Sequence, residues 1–277
     1  MRYVAAIPLR DGAATIAYVV RAALAQSPTP TRVLVCDDGS RDDGPRRAAD
    51  AGATVLAHAR PRGLALARNT LLAAATEEVM IYFDADAVPR PGCAAALLAG
   101  LRESRAVAAG GRGVEAADAS FADRWRAAHT PQSHGDRPLD DDWMAMGLCC
   151  AFRVAALREI GGFDRRFESC GEDVDISLRL RAAGGRIAYR PDAVVDHARS
   201  DSTLGVLRQA WRHSRESAAA FRRQGRSPLF LAGLFWRALG PSLGRELVRL
   251  DAPAALLTAA NLAARLAALP IGALLAP

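Results

Sequence analysis

The sequence predicts an α/β protein with a mostly parallel central sheet, helices on both of its faces, and a C-terminal helical extension. Three observations carry this. Over the first ~110 residues, apolar runs alternate with helical periodicity at βαβ spacing. The runs are near-continuously apolar, as strands covered on both faces are. Beyond about residue 200 the pattern turns wholly helical.

The elements follow in order. Val4–Ile7 is a short apolar run stopped by Pro8, and Ala14–Gln26 has helical periodicity, ended by Pro28 and Pro30. Arg32–Cys36 is a second buried strand that runs into Asp37-Asp38-Gly39-Ser40. A helix near Asp42–Ala51 leads to the strand Thr54–Ala57. A helix over about Leu64–Ala75 precedes the strand Val79–Phe83, which ends in Asp84-Ala85-Asp86. The second half is less regular. A strand at Val107–Gly111 opens an irregular stretch to Trp143, and order resumes at Leu148–Glu159 before the turn Gly161-Gly162-Phe163-Asp164. A helix over Glu172–Ala183 is capped by Gly184-Gly185, and Arg186–Tyr189 is a further strand. The 277 residues suffice for one large core, placed at 1–200, with an appendage at 201–277.

Composition excludes several classes. A hydrophobic content of 51% with 24% charged residues describes an ordered globular chain. The net charge of +6 invites a nucleic-acid partner, yet every basic side chain is Arg and no recognition helix or aromatic platform is present. No nucleic acid is expected. The five cysteines are odd in number and lack CxxC spacing, which fits buried small hydrophobes in a reducing cytoplasm better than disulfides or zinc. Met1–Ile7 enters a strand directly, with no signal-peptide pattern, so a cytoplasmic location is expected.

Two acidic motifs sit at strand carboxyl ends, where ligands gather in open α/β sheets. Asp84 and Asp86 can share a hard cation and a diphosphate, the role suited to Mg²⁺ or Mn²⁺. At Asp37-Asp38-Gly39-Ser40, one carboxylate can shape an Asx-type turn while the other accepts from the imide N–H of a pyrimidine base. Gly171-Glu172-Asp173-Val174-Asp175 places three acids in the first turn of a helix, where they complement the dipole, or where one serves as a general base. His197, after the apolar Ala193-Val194-Val195, is either a surface histidine or a neutral imidazole completing a metal or diphosphate site.

Taken together, this ordered set resembles the family-2 inverting glycosyltransferases of the GT-A fold. The matching pieces are Ile7-Pro8, Val35–Ser40, Gly63–Asn69, Phe83–Asp86 with Pro89 and Pro91, Ala151-Phe152-Arg153, Gly161–Asp164, Gly171–Asp175 and His197. The resemblance covers about residues 3–200. It implies a donor-binding half over about 1–110 and an acceptor and catalytic half over about 111–200. It also implies a nucleotide-diphosphate sugar donor, with Asp38 at the base, Asp84 and Asp86 at the diphosphate and metal, and His197 as a further metal or diphosphate ligand. The imide reading at Asp38 favours a UDP- or dTDP-type donor, and Pro8 and Arg68 are further donor-side candidates. Asp173, with Glu172 beside it, is the expected acid–base group of a single inverting displacement; Gly162, Gln209 and Arg212 are acceptor-side candidates. Two departures stand out. Arg10 replaces an aromatic that could stack on the base. Gln209-Ala210-Trp211-Arg212-His213 keeps only part of the QxxRW motif of processive polymerases, so polymerase activity is not expected.

Two rivals belong to other classes. A sugar-phosphate nucleotidyltransferase calls for a Gly-rich, basic loop after the first strand, which Ile7–Gly12 lacks. A non-catalytic scaffold would be expected to lose acids that are all present here. The C-terminal stretch has two readings. Its Arg-rich helix, the apolar Leu229–Trp236 run and the Pro253–Leu269 helix, striped by Thr258, Asn261 and Arg265, either pack on the domain or a dimer partner, or lie peripherally on a membrane. No stretch of ~20 residues is both charge-free and strongly apolar, so a clean span is not expected.

Overall fold

The computed structural model describes residues 1–116, 118 and 120–274. The chain opens with β1 (Tyr3–Leu9), α1 (Ile16–Leu24), β2 (Val33–Asp37), α2 (Gly44–Asp50), β3 (Thr54–Ala57), α3 (Leu64–Ala74) and β4 (Val79–Phe83). There follow β5 (Ala87–Pro89), α4 (Cys93–Glu103), β6 (Ala108–Glu115), α5 (Phe121–His129), β7 (Cys149–Arg153), α6 (Val154–Glu159), α7 (Glu172–Ala182) and β8 (Ile187–His197). One eight-stranded sheet runs in the order β3-β2-β1-β4-β7-β6-β8-β5.

The first four strands of that order are parallel, as their helical crossovers require. Beyond β4 the sheet is mixed: β7 is antiparallel to both β4 and β6, and β5 is antiparallel to β8. Antiparallel neighbours need no helical crossover, which explains the irregular chain ahead of β7. This reversal matters for the site. Phe83 pairs with Cys149, so the loop entering β7 arrives at the edge where β4 ends. The sheet is apolar on both faces: Ile7, Val35, Ile81, Phe83 and Cys149 are buried on one among helix residues such as Val19 and Leu97, and Val4, Ala6, Leu34 and Met80 are buried on the other.

Pro8 does not stop the first strand. Ala5 N donates to Arg32 O across to β2, so alternation turns the Pro8 nitrogen toward β4. There the ladder has already ended at Ala6–Tyr82, and the missing donor costs nothing.

Contacts divide the chain into two units, Met1–Val114 with Gln132–Ala198, and Glu115–Pro131 with Arg199–Pro277. The second unit therefore takes residues 115–131 out of the block expected at 1–200. The reason is a polar knot. Ser120 and Asp123 form a capping box at the start of α5, and buried Asp123 also accepts from Asp201 N at 2.8 Å and from the Ser200 hydroxyl at 2.7 Å. Those donors pull the Asp123 carboxyl down to about 2 despite its burial. Arg126 adds ion pairs to Glu115 and Asp201.

Three long helices complete this unit: α8 (Thr203–Arg223), α9 (Leu229–Val248) and α10 (Ala252–Leu274). A Cβ on Gly272 would lie 2.0 Å from Arg215 O, so α10 crosses α8 at backbone contact. α10 is long and apolar enough, by length and composition, to cross a membrane.

Candidate functional site

The site assembles at the carboxyl edge of the parallel strands. Asp84 follows β4 directly, and its backbone N–H donates to Leu148 O at 3.3 Å, joining it to the loop before β7. The Asp84 and Asp86 side chains remain 36% and 38% exposed, unlike the strand that delivers them. Asp86 Oδ2 lies 3.5 Å from Nε2 of His197, the last residue of β8. Strand pairing explains the meeting, because β5 follows Asp86 immediately and Ala87 is in register with His197. The His197 Nδ1 atom is 3.2 Å from Gln132 Nε2, a neighbour that no sequence motif announces.

Behind this edge lies a buried guanidinium. Arg68 of α3 is 1% exposed, donates to Asp84 Oδ1 and to Gly147 O, both at 3.1 Å, and has Nε 3.4 Å from Glu172 Oε1. Its carbon centre stands 5.0 Å over the Tyr82 ring and 5.6 Å over Phe163. Arg68 thus sets the position of Asp84 from the protein side.

Glu172 is 3% exposed beside Arg68, with Oε2 lacking any hydrogen-bond partner. Expected next to Asp173 as an acid–base group, it is instead an interior residue that cannot touch an acceptor from this position. Arg68 faces both Asp84 and Glu172, with Asp173 nearby, and one positive charge cannot offset them all. Burial pushes the Glu172 carboxyl up to about 8, against the opposing pull of Arg68 and with the charges of Asp173 and Asp84 reinforcing the rise. The protein packed around the part-exposed Asp84, opposed by Arg68 and reinforced by the Asp86 charge, also raises its carboxyl above the ordinary value. Between the ordinary glutamate value and about 8, the folded chain holds a proton on Glu172 that the unfolded chain releases. Stability therefore falls as pH rises through that window. The Glu172→Gln variant is expected to flatten this fall and to be the more stable protein at pH 8.5, by on the order of a few kcal/mol. Thermal melts of both proteins from pH 5 to 8.5 check it; a variant that keeps the wild-type slope would show an ionised Glu172.

Asp173 occupies the first turn of α7. Oδ2 accepts from Gly147 N at 3.1 Å and Oδ1 from Val174 N at 2.8 Å, and the side chain is half-buried. Gly147 is the joint of the whole arrangement. A Cβ there would meet Arg68 at 2.8 Å, Glu172 at 3.3 Å and the Asp173 Cβ at 3.5 Å. No motif marks this glycine, since its partners lie far away in the sequence.

At the end of β2, Asp37 Oδ1 accepts from Ser40 N at 2.9 Å and Gly39 has φ +70°, the Asx-type turn expected from the residues. Asp38 is buried, with Oδ1 accepting from Arg62 N at 2.7 Å and Oδ2 from Gly63 N at 2.8 Å. Oδ1 also meets His58 Nδ1 at 2.7 Å. These bonds fasten the β2 turn to the start of α3. A base would have to use the lone-pair direction that remains. Pro8 is buried within β1, one residue before Leu9, which is in register with Asp37.

The acceptor-side candidates separate. Gly162 is buried in a positive-φ turn, its carbonyl accepting from Arg179 at 2.6 Å, and a Cβ would lie 2.5 Å from Asn69 Oδ1. Packing against α3 and α7 accounts for this glycine. Gln209 and Arg212 belong to α8 in the second unit, both half-buried.

Among the described residues, no three His, Cys, Asp or Glu side chains gather tightly enough to hold a metal unaided. The donor set of Asp84, Asp86 and His197 still fits a divalent cation. Mg²⁺ and Mn²⁺ take few protein ligands and complete their shells with water and phosphate oxygens, for which the exposed carboxylates leave room.

Residues 5–161 match the sequence model described as Glycosyl transferase family 2. A pre-mycofactocin glycosyltransferase of Mycobacterium tuberculosis is 31% identical over 255 residues, which is 86% of this chain and 53% of the relative. The chain thus spans about half the length of that relative. Among solved structures, the mannosyltransferase PcManGT from Pyrobaculum calidifontis in complex with GDP-Man and Mn²⁺ superposes with a TM-score of 0.63. It is 24% identical, covering 99% of this chain and 78% of its own. GalNAc-T7 with UDP, GalNAc and Mn²⁺ gives 0.59 at 17% identity, covering 79% and 47%. These likenesses establish the GT-A fold.

Proposed function

The chain belongs to glycosyl transferase family 2, and from that membership we propose that it moves a sugar from a nucleoside diphosphate donor to an acceptor nucleophile by one inverting displacement. The observation that carries the reading is the convergence of Asp84, Asp86, His197 and Asp173 around the end of β4, on a GT-A sheet. The two solved relatives named with Mn²⁺ support a divalent cation at Asp84, Asp86 and His197. Bound there, it would supply Lewis-acid charge to the diphosphate leaving group.

This chain's own residues do the rest. The edges of β1, β2 and β4, with Pro8 and Asp38, receive the nucleotide; UDP and dTDP donors are the first to try, because uracil and thymine both offer an imide N–H. Arg68 holds the Asp84 carboxylate in place from behind. Asp173, its two oxygens fixed by Gly147 N and Val174 N, takes the proton of the acceptor O–H as that oxygen bonds to the anomeric carbon. The bond from the anomeric carbon to the phosphate oxygen breaks, and the electron pair leaves with the nucleoside diphosphate. The name of the Mycobacterium tuberculosis relative makes a pre-mycofactocin-type acceptor the first candidate.

The test is slow donor hydrolysis. Incubated with Mn²⁺ and a panel of nucleotide sugars, the protein is expected to release nucleoside diphosphate and free sugar from one donor class. Release of nucleoside monophosphate and sugar 1-phosphate instead, by cleavage within the diphosphate, would favour nucleotidyl transfer, and no turnover of any donor would favour a scaffold.

A further inference from the structure

The last helices of the second unit carry their polarity the wrong way round for a surface in water. In α10 the polar stripe turns inward. Thr258 and Asn261 are fully buried, Thr258 Oγ1 accepts from Trp125 Nε1 at 2.9 Å, and Asn261 Oδ1 accepts from Arg265 Nε at 2.7 Å. The outward positions are all apolar. Every exposed residue of α10 is Ala, Leu, Pro or Ile, spaced three and four apart along one continuous face. Leu256 is 71% exposed and Leu274 is 84% exposed.

α9 repeats the inversion. Ser242 and Glu246 are buried, Glu246 paired with His129, while Phe230, Trp236, Leu247 and Val248 are exposed. The interior of the unit is itself an apolar cluster around Trp125, Leu239, Leu257 and Leu262, so these helices carry apolar side chains both inward and outward. Such an apolar exterior is unfavourable in water and favourable against acyl chains.

Charge identifies the surface that covers this face. The second unit holds thirteen arginines against seven acids, and Arg222, Arg226, Arg237 and Arg249 are exposed. A second copy of the unit would bring the same excess of positive charge; an anionic headgroup layer neutralises it.

We propose that the second unit docks on an anionic lipid bilayer, with α9 and α10 lying in the interface. Their apolar faces enter the acyl boundary and the exposed arginines meet the headgroups. α10 has the length to span, but Arg265 and the polar stripe bonded within the unit hold it along the surface. If the proposed sugar transfer is correct, the docked chain would carry it out at the membrane surface.

Full-length protein is co-sedimented with vesicles of phosphatidylcholine alone or mixed with phosphatidylglycerol, at low and high salt. Binding is expected on the mixed vesicles and should fall roughly tenfold or more at high salt. Two variants should each lose it: Trp236→Asp with Leu256→Asp, which removes the apolar contact, and Arg226→Glu with Arg237→Glu and Arg249→Glu, which reverses the charge. All five side chains are exposed, so the folded chain tolerates both sets. Donor hydrolysis in the same samples reports separately on the catalytic reading. The proposal is overturned if the protein stays in the supernatant at low salt, or binds both vesicle types alike without salt dependence. It is equally overturned if light scattering finds a dimer that Trp236→Asp dissociates and that ignores vesicles.

Discussion

Replacing Asp173 by Asn is expected to lower turnover by roughly two to four orders of magnitude, the usual scale of general-base loss, while donor affinity holds. The substitution keeps the shape of the side chain and removes its ability to take a proton. Its structural cost is small by comparison. The carboxylate now accepts from Gly147 N and Val174 N, and an amide can serve only one of them with its single oxygen. Losing the other bond costs on the order of 1 kcal/mol, far less than the lost catalysis. Single-turnover rates with donor saturating, alongside donor binding by calorimetry, separate the two effects. If binding fell while turnover held, Asp173 would belong to the donor site, and the base would lie elsewhere.

Much of this site was legible because its chemistry sits at strand ends. Thr54–Ala57 and Val79–Phe83 are bounded in the structure as their apolar runs bound them in the sequence. Val79–Phe83, buried throughout, leaves a continuous hydrophobic trace that Asp84 breaks, whereas Thr54–Ala57 is an edge strand with exposed ends, followed by His58. The Asp37 turn was equally readable, because its hydrogen bond is local. What escaped depends on distant partners. Gly147 acquires its meaning only once α3 and α7 meet around it, bringing Arg68 and Glu172 to the same point. Glu172 and Asp173 are adjacent in sequence, yet the helix turns one into the interior and leaves the other at the loop before β7. The stripe of Thr258, Asn261 and Arg265 shows the same limit. Periodicity reveals that one face of a helix is polar, but not whether that face meets water or a neighbour. Here Trp125, on a helix more than a hundred residues earlier, supplies the partner.

Asp86→Ala should abolish sugar transfer and leave the fold intact. The side chain is 38% exposed and belongs to the turn between β4 and β5, so its loss opens no core cavity. The backbone bonds here survive the change: Ala87 N donates to Asp84 O at 3.0 Å, closing the turn, and the Asp86 carbonyl accepts from Ala198 N at 2.8 Å. The variant removes a carboxylate oxygen facing His197 Nε2, and with it one of the groups proposed to hold the cation. A buried imidazole and Asp84 alone offer two donors, one of them already committed to Arg68. Mn²⁺ affinity, read by electron paramagnetic resonance with nucleoside diphosphate present to complete the cation's shell, is therefore expected to fall together with activity, while the melting temperature stays close to wild type. Asp86→Asn should fall almost as far, since the neutral amide keeps an oxygen but loses the charge that matches a hard cation. Retained Mn²⁺ binding in Asp86→Ala would move the metal away from this turn. Full transfer activity of the wild-type protein in EDTA would end the metal-dependent reading altogether.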